Sequence, residues 1–266
     1  MAPSLTDRIA AAGKALLARG RAPEQPLSPR LRAVADLVPS GASVADVGTD
    51  HAWLVVHLLH ERRVPGAIAA DVNAAPLDGA RARIDAHRLG KHVDVRQGDG
   101  LAVVEPGEVQ AATICGMGGR RIVGIVERSP AVVAQLGRLV VQPNTEVDRV
   151  RRALRDAGLT LADERMVLDD GRWYPVLAWE PGAPARPWDD LDLAFGPVLR
   201  DRADPDLRRF LGAELGRVAQ ALAQAMNGGA DPRSLGTLQQ ELDAVESELA
   251  RLAIVAETIS KKANKE

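Results

Sequence analysis

Five short apolar runs alternating with helical stretches limit this chain to very few architectures. The runs are 43–47, 66–72, 93–97, 111–115 and 139–142. Helical patterns cover 52–61, 76–89, 120–127 and 146–157, the last stopped by Gly158. Short apolar strands separated by helices predict a parallel sheet covered on both faces. The rhythm then breaks. Two β-type runs, 160–168 and 172–180, are joined by Asp169-Asp170-Gly171, and Asp-Gly between such runs signals a hairpin. The expected fold is α/β: a doubly wound Rossmann-like sheet closed by an antiparallel hairpin.

Beyond PGAPARP, residues 181–187, the period changes. Leu235, Leu238, Leu242, Val245, Leu249, Leu252, Ala256 and Ile259 recur at alternating steps of three and four, an a/d seam. Leu211, Leu215, Val218, Leu222 and Ala225 alternate in the same way, and the helix-breaking NGGADPR, residues 227–233, separates the two sets. Two heptad helices with a short loop predict an antiparallel coiled-coil hairpin. At the other end, Ser28-Pro29 supplies an N-cap and a first helical residue. The expected organisation is an N-terminal extension (1–27, with a small-residue helix over 6–19), a catalytic domain (28–182), a helical coiled-coil domain (188–260) and a disordered tail (261–266). The expected assembly is a monomer or a weak dimer through the coiled coil.

Composition narrows the function classes. The one cysteine, Cys115, excludes an intrachain disulfide and a thiolate zinc site. His57 and His60 lie one helical turn apart without further ligands, so no metal is expected. No window approaches the ~18 apolar residues of a membrane span, and the first twenty residues lack the apolar core of a signal peptide. The expectation is no membrane and a cytoplasmic location. A net charge of −2 neither demands nor forbids a nucleic-acid partner.

In an open α/β sheet the ligand binds outside the carboxyl ends of the strands. Five ends here carry polar or glycine residues: Asp46 to His51, Asp71-Val72-Asn73, Gly98-Asp99-Gly100, Cys115 to Gly119, and Gln142-Pro143-Asn144. Asp71 follows Gly48 by about the 20 residues that separate a glycine turn from an acid gripping a ribose. Asp99 can accept from an adenine amino group. The rim therefore fits an adenosine whose tail passes over Gly48. A dinucleotide needs G-x-G-x-x-G, because backbone must close on a pyrophosphate. This chain has G-T-D-H-A-W, and Asp50 sets negative charge where phosphates would sit. A cationic tail reverses the sign. S-adenosylmethionine carries a sulfonium and an ammonium, so Asp46 and Asp50 assist it. A closing antiparallel hairpin is also typical of class I methyltransferase sheets.

The order LSPRLRAVADLVPSGASVADVGTDHAWL, GAIAADV, VDVRQGDGLAV, ATICGMGG, LVVQPN and DDGRWYPVLAWE resembles the bacterial tRNA (adenine-N1)-methyltransferases that modify adenine 22. The resemblance runs from about residue 27 to 180 and continues loosely into FGPVLR and the coiled coil, which that family also carries. It implies a class I methyltransferase, S-adenosylmethionine as donor and tRNA as substrate. The chain departs from the family pattern at Cys115, where alanine is usual, at Val55, where proline is usual, and at Pro175, where an acid usually follows the tyrosine kept as Tyr174.

Adenine N1 has its own lone pair, so alignment and water exclusion matter more than a general base. Gly116, Met117 and Gly118 are expected to floor the acceptor pocket. Asn144 is expected either to bond the base edge or to cap the following helix. Asp46, Gly48, Thr49, Asp50, His51, Asp71, Val72, Asp99, Gly100 and Cys115 are the expected cofactor residues, with Cys115 an apolar wall rather than a nucleophile. Trp53 reads as core. Arg30, Arg32, Arg120, Arg121, Arg149, Arg151, Arg152, Arg200, Arg202, Arg208 and Arg209 are candidate tRNA contacts. Two rivals remain at this level: a small-molecule methyltransferase with a dimerisation arm, and a catalytically silent RNA-binding protein on the same scaffold.

Overall fold

The computed structural model describes residues 26–263. The expected helix over 6–19 and the last three residues lie outside the described residues. The chain divides into two compact units, residues 1–186 and 187–266.

In the first unit, helix α1 (Pro29–Leu37) starts where the Ser28 hydroxyl accepts from the Leu31 N–H with Pro29 next to it. The sheet strands are β1 (Val44–Val47), β2 (Ala67–Asp71), β3 (Val93–Gln97), β4 (Ala111–Gly118), β5 (Arg138–Thr145), β6 (Leu159–Asp169) and β7 (Arg172–Pro181). Their order is β3-β2-β1-β4-β5-β7-β6. β1 to β5 pair in parallel, and β7 is antiparallel to both β5 and β6. The strand order reverses between β1 and β4, which opens the crevice where α/β sheets take ligands. The β6–β7 turn places Asp170 (φ 47°) and Gly171 (φ 72°) in the left-handed region, the geometry that matches hairpin twist.

Helices α2 (Trp53–His60), α3 (Ala74–Ala86), α4 (Gly119–Arg128), α5 (Pro130–Val133) and α6 (Val147–Asp156) follow their strands. α1 packs on β5, β6 and β7, which carries its first turn to the rim. The core is aliphatic: Val34, Val44, Val55, Leu58, Ala67, Val140 and Val176 are fully buried, as the scarcity of aromatics requires. α6 is tied to β6 by a fully buried ion pair, Arg151 Nε to Glu164 Oε1 at 2.8 Å. Arg151 is thus a structural residue and not a tRNA contact.

Two strands run further than expected. β4 extends to Gly118 and β5 to Thr145, through register shifts at Cys115/Met117 and Met117/Gly118 that pair Met117 with Pro143 and Gly118 with Thr145. Bulges of this kind re-aim side chains at sheet rims and accommodate a proline that lacks a ladder donor.

The second unit holds α7 (Asp190–Phe195), α8 (Pro197–Asp201), α9 (Pro205–Asn227) and α10 (Pro232–Ala263). α9 and α10 pack together, burying Leu211, Val218, Val245 and Leu252 from the heptad seam. The remaining seam positions up to Ala256 are half-buried, as a two-helix hairpin with one covered face dictates. α10 continues to Ala263, three residues past the boundary that the heptad pattern marked. Arg200 is buried here too. Its guanidinium pairs with Glu248 (3.0 Å), Asp189 (2.9 Å) and the buried Asp192, so it links α7, α8 and α10 rather than reaching for RNA.

Candidate active site

The carboxyl ends of β1, β2, β4 and β5 surround a cleft of about 510 Å³. It is lined by Asp46, Gly48, Thr49, Asp50 and Trp53 from the first turn, Asp71 and Asn73 from the second, and Cys115, Gly116, Met117 and Asn144 from the fourth and fifth strands. Arg30 and Leu31 of α1, Leu54 of α2, Arg121 of α4 and Tyr174 of β7 complete it.

The β1 side is acidic. Asp46 is buried, and its Oδ1 accepts from the Thr113 hydroxyl at 2.6 Å. Burial raises its pKa from the ordinary value; the Thr113 bond opposes this, and the nearby Asp50 and Asp71 charges add to it. The buried Thr49 hydroxyl lies close enough to Asp46 to lower that pKa, yet makes no well-formed hydrogen bond. Asp71 Oδ1 accepts from the Asn73 N–H at 2.8 Å, which holds the carboxylate at the strand end. Gly48 has φ 75°, so the turn requires glycine; a Cβ there would meet only the movable end of the Met117 side chain, at 2.4 Å.

After Gly48 the backbone is strained. Asp50 (φ 32°), His51 (φ 62°) and Ala52 (φ 58°) are three consecutive non-glycine residues in the left-handed region. Such conformations cost on the order of 1 kcal/mol or more each and cluster at functional sites. Arg83 of α3 holds the turn: its Nη1 donates to the His51 carbonyl at 2.7 Å, and its guanidinium lies 3.2 Å from the centroid of the Trp53 ring. Trp53 is therefore a half-buried wall of the cleft that also packs against the hydrophobic core. The signal was its place at the start of a helix that opens at the rim.

The β5 side is built from amides. Gln142 is completely buried. Its Oε1 accepts from Arg30 Nη1 (2.8 Å) and the Gly116 N–H (3.1 Å), and its Nε2 donates to the Pro143 carbonyl (2.9 Å) and Asn144 Oδ1 (3.3 Å). Asn144 Nδ2 donates to the Gly116 carbonyl at 2.9 Å. Asn144 is no helix cap: α6 begins three residues later, with Glu146 in the left-handed region at its N-cap. Arg30 lies 4.9 Å from the Tyr174 ring centroid, and its Nε is 3.8 Å from Asp169. It is a pocket residue and not a free arm for phosphate. The backbones here approach closely, since a Cβ on Gly119 would lie 2.5 Å from the Glu146 carbonyl oxygen.

A family model described as a methyltransferase domain matches residues 27–177. The tRNA (adenine(22)-N(1))-methyltransferase of Bacillus subtilis (strain 168) is 38% identical over 176 residues, covering 66% of this chain and 74% of that protein. The chain belongs to the tRNA (adenine(22)-N(1))-methyltransferase family. Solved structures agree. B. subtilis TrmK, an M1A22 tRNA methyltransferase, superposes with a TM-score of 0.72 at 30% identity, over 87% of this chain and 99% of that one. Streptococcus pneumoniae Sp1610 in complex with S-adenosyl-L-methionine has a TM-score of 0.76 at 32% identity, over 84% and 100%.

Within this methyltransferase fold, Asp46, Gly48, Thr49, Asp50, Asp71, Cys115, Gly116, Met117 and Asn144 meet in one cleft. The remaining expected residues sit outside its lining. Asp99 pairs with Arg128 at 3.0 Å, both half-exposed. Val72 is exposed, and its carbonyl accepts from Gln97. His51 leans toward Gly79 and Asp50. Gly100 opens a 3-10 turn under Ile125, and Gly118 caps α4 beside Thr145. Burial pushes the Cys115 thiol pKa well up, with the Asp46 charge adding to it, so it is no nucleophile. His60 Nε2 and His87 Nδ1 are 2.8 Å apart, and among the described residues no group of three or more metal-ligating side chains occurs. No described helix is long and apolar enough to cross a membrane.

Proposed function

We propose that this protein transfers the methyl group of S-adenosylmethionine to N1 of an adenine, position 22, in tRNA. The observation that carries the reading is the unequal charge of the cleft. Three carboxylates, Asp46, Asp50 and Asp71, gather on the β1–β2 side, and two of them raise the pKa of the third. A bound cation relieves that repulsion, whereas phosphates would add to it. The relatives named for m1A22 transfer and the relative crystallised with S-adenosyl-L-methionine support the same reading.

Asp71 would hold the ribose hydroxyls and Asp50 the ammonium end, with Gly48 giving backbone clearance. Trp53, Leu31 and Leu54 give the cleft its apolar lining. When bound, the donor supplies an electrophilic sulfonium methyl: the N1 lone pair forms the new N–C bond, the S–C pair departs to sulfur, and the positive charge passes to the base. No proton has to leave before attack, so the protein needs no general base. Its work is alignment. Asn144, in the cleft lining, would accept from the adenine amino group, which sits beside N1. Arg120, Arg121, Arg149 and Arg152, exposed on α4 and α6, are the remaining phosphate candidates near the rim.

The test is to incubate the protein with labelled donor and an unmodified tRNA transcript, then map the modified base by mass spectrometry. N1-methyladenosine at position 22, lost in a transcript with guanine there, is the expected result. Methylation of a metabolite panel without tRNA labelling would overturn it.

A further inference from the structure

Gln142 touches no part of the cleft surface, yet it is completely buried directly beneath Asn144. A primary amide has two donor hydrogens and two acceptor lone pairs. Gln142 uses all four: Arg30 Nη1 and the Gly116 N–H on the oxygen, the Pro143 carbonyl and Asn144 Oδ1 on the nitrogen. Both donors approach one end and both acceptors the other, so the amide has one orientation. That orientation passes to Asn144. Its Oδ1 must face the Gln142 N–H, and its Nδ2 must face the Gly116 carbonyl. Reversing the Asn144 amide would set N–H against N–H and oxygen against oxygen. One lone pair on Oδ1 and one hydrogen on Nδ2 remain for a ligand.

We propose that Gln142 is a positioning residue for methyl transfer: it fixes which end of the Asn144 amide meets the acceptor base. This rests on the adenine-N1 reading above. The distinction matters chemically. An amide oxygen accepts from the exocyclic amino group and leaves the N1 lone pair free. An amide N–H in its place donates to N1 and occupies the lone pair that must attack. Arg30, held by Tyr174 and Asp169, completes the chain from α1 through β5 to the base. Gln142 and Arg30 are 112 residues apart in sequence.

Gln142→Glu keeps shape and both acceptor contacts but cannot donate to the Pro143 carbonyl or to Asn144, so a carboxylate oxygen faces Asn144 Oδ1 and the orientation of that amide is no longer set. The expected result is a fall in kcat of roughly tenfold or more, with the cofactor KM within about twofold, since the lost donor acts on the acceptor base alone. Gln142→Met guards against misfolding of the buried carboxylate and should show the same split. The decisive readout is coupling: Gln142→Glu combined with Asn144→Ala should be no slower than Asn144→Ala alone. Additive losses, or an unchanged kcat in Gln142→Glu, would overturn the proposal. Side-chain amide NMR decides separately. The Asn144 Nδ2 proton that bonds the Gly116 carbonyl should be shifted downfield in the native protein, and that shift should diminish in Gln142→Glu; an unaltered shift contradicts the proposal even if tRNA proves not to be the substrate. A native protein inactive on tRNA, with the NMR change intact, would instead fault the substrate reading.

Discussion

The two sides of the cleft solve different problems with different chemistry. The β1–β2 side gathers carboxylates, and its key acid is buried against its own preference for neutrality. The β4–β5 side carries no carboxylate in its lining; it is built from two amides, glycine backbone and an arginine stacked on tyrosine. Fixed negative charge suits a cationic donor and is insensitive to small changes in direction. A neutral base offers only hydrogen-bond direction, so its side must be rigid and matched donor to acceptor. Recognition by charge and recognition by orientation thus lie on opposite banks of one cleft.

The largest effect should come from breaking the orienting side. Asn144→Ala removes the group proposed to face the base, and kcat should fall by on the order of 100-fold or more, measured with both substrates saturating. Next is the charged side. On its proposed role, Asp71→Ala loses a charge-assisted bond to the ribose worth about 1.5–3 kcal/mol, so the cofactor Kd by calorimetry should rise roughly 30- to 100-fold.

Asp46 sharpens the contrast because stability and function oppose each other there. Its folded pKa is raised, so the folded state prefers the neutral acid, and ionisation costs stability once pH exceeds the unfolded value of 3.8. That cost grows as pH rises toward the folded pKa and is level above it. Asp46→Asn should therefore melt roughly 2–4 °C higher than the native protein at pH 7, with the gap closing near pH 4, while binding the cofactor more weakly. Thermal melts across pH without cofactor check the sign. The smallest effect is expected at Cys115, a protonated wall residue: Cys115→Ser should keep activity within about twofold in the same assay.

The two sides also differed in how far the sequence revealed them. Asp46 and Asp50 belong to the end of β1 and Asp71 to the end of β2, so all three were legible from local pattern and spacing. The hairpin turn and the heptad seam were legible for the same reason. The orienting side joins residues distant in the chain through strand ends that are irregular. Pro143 reads as a strand stop, yet bulges carry β5 past it and turn Asn144 toward Gly116. Arg30, Arg151 and Arg200 all read as exposed charge. Only the fold shows that one lines the cleft and that the other two close buried ion pairs with Glu164, Glu248 and Asp192. Asp99, expected at the adenine, pairs with Arg128 at the surface, where opening such a pair costs only about 0–1 kcal/mol.

The most direct test of this division is steady-state methylation of tRNA at saturating RNA, with S-adenosylmethionine varied, for native protein, Asp71→Ala and Asn144→Ala side by side. Asp71→Ala should raise the cofactor KM at least about 30-fold with kcat within roughly threefold. Asn144→Ala should lower kcat with the cofactor KM within about twofold. If both variants instead move the same parameter, the cleft does not divide into a charge-reading side and an orienting side.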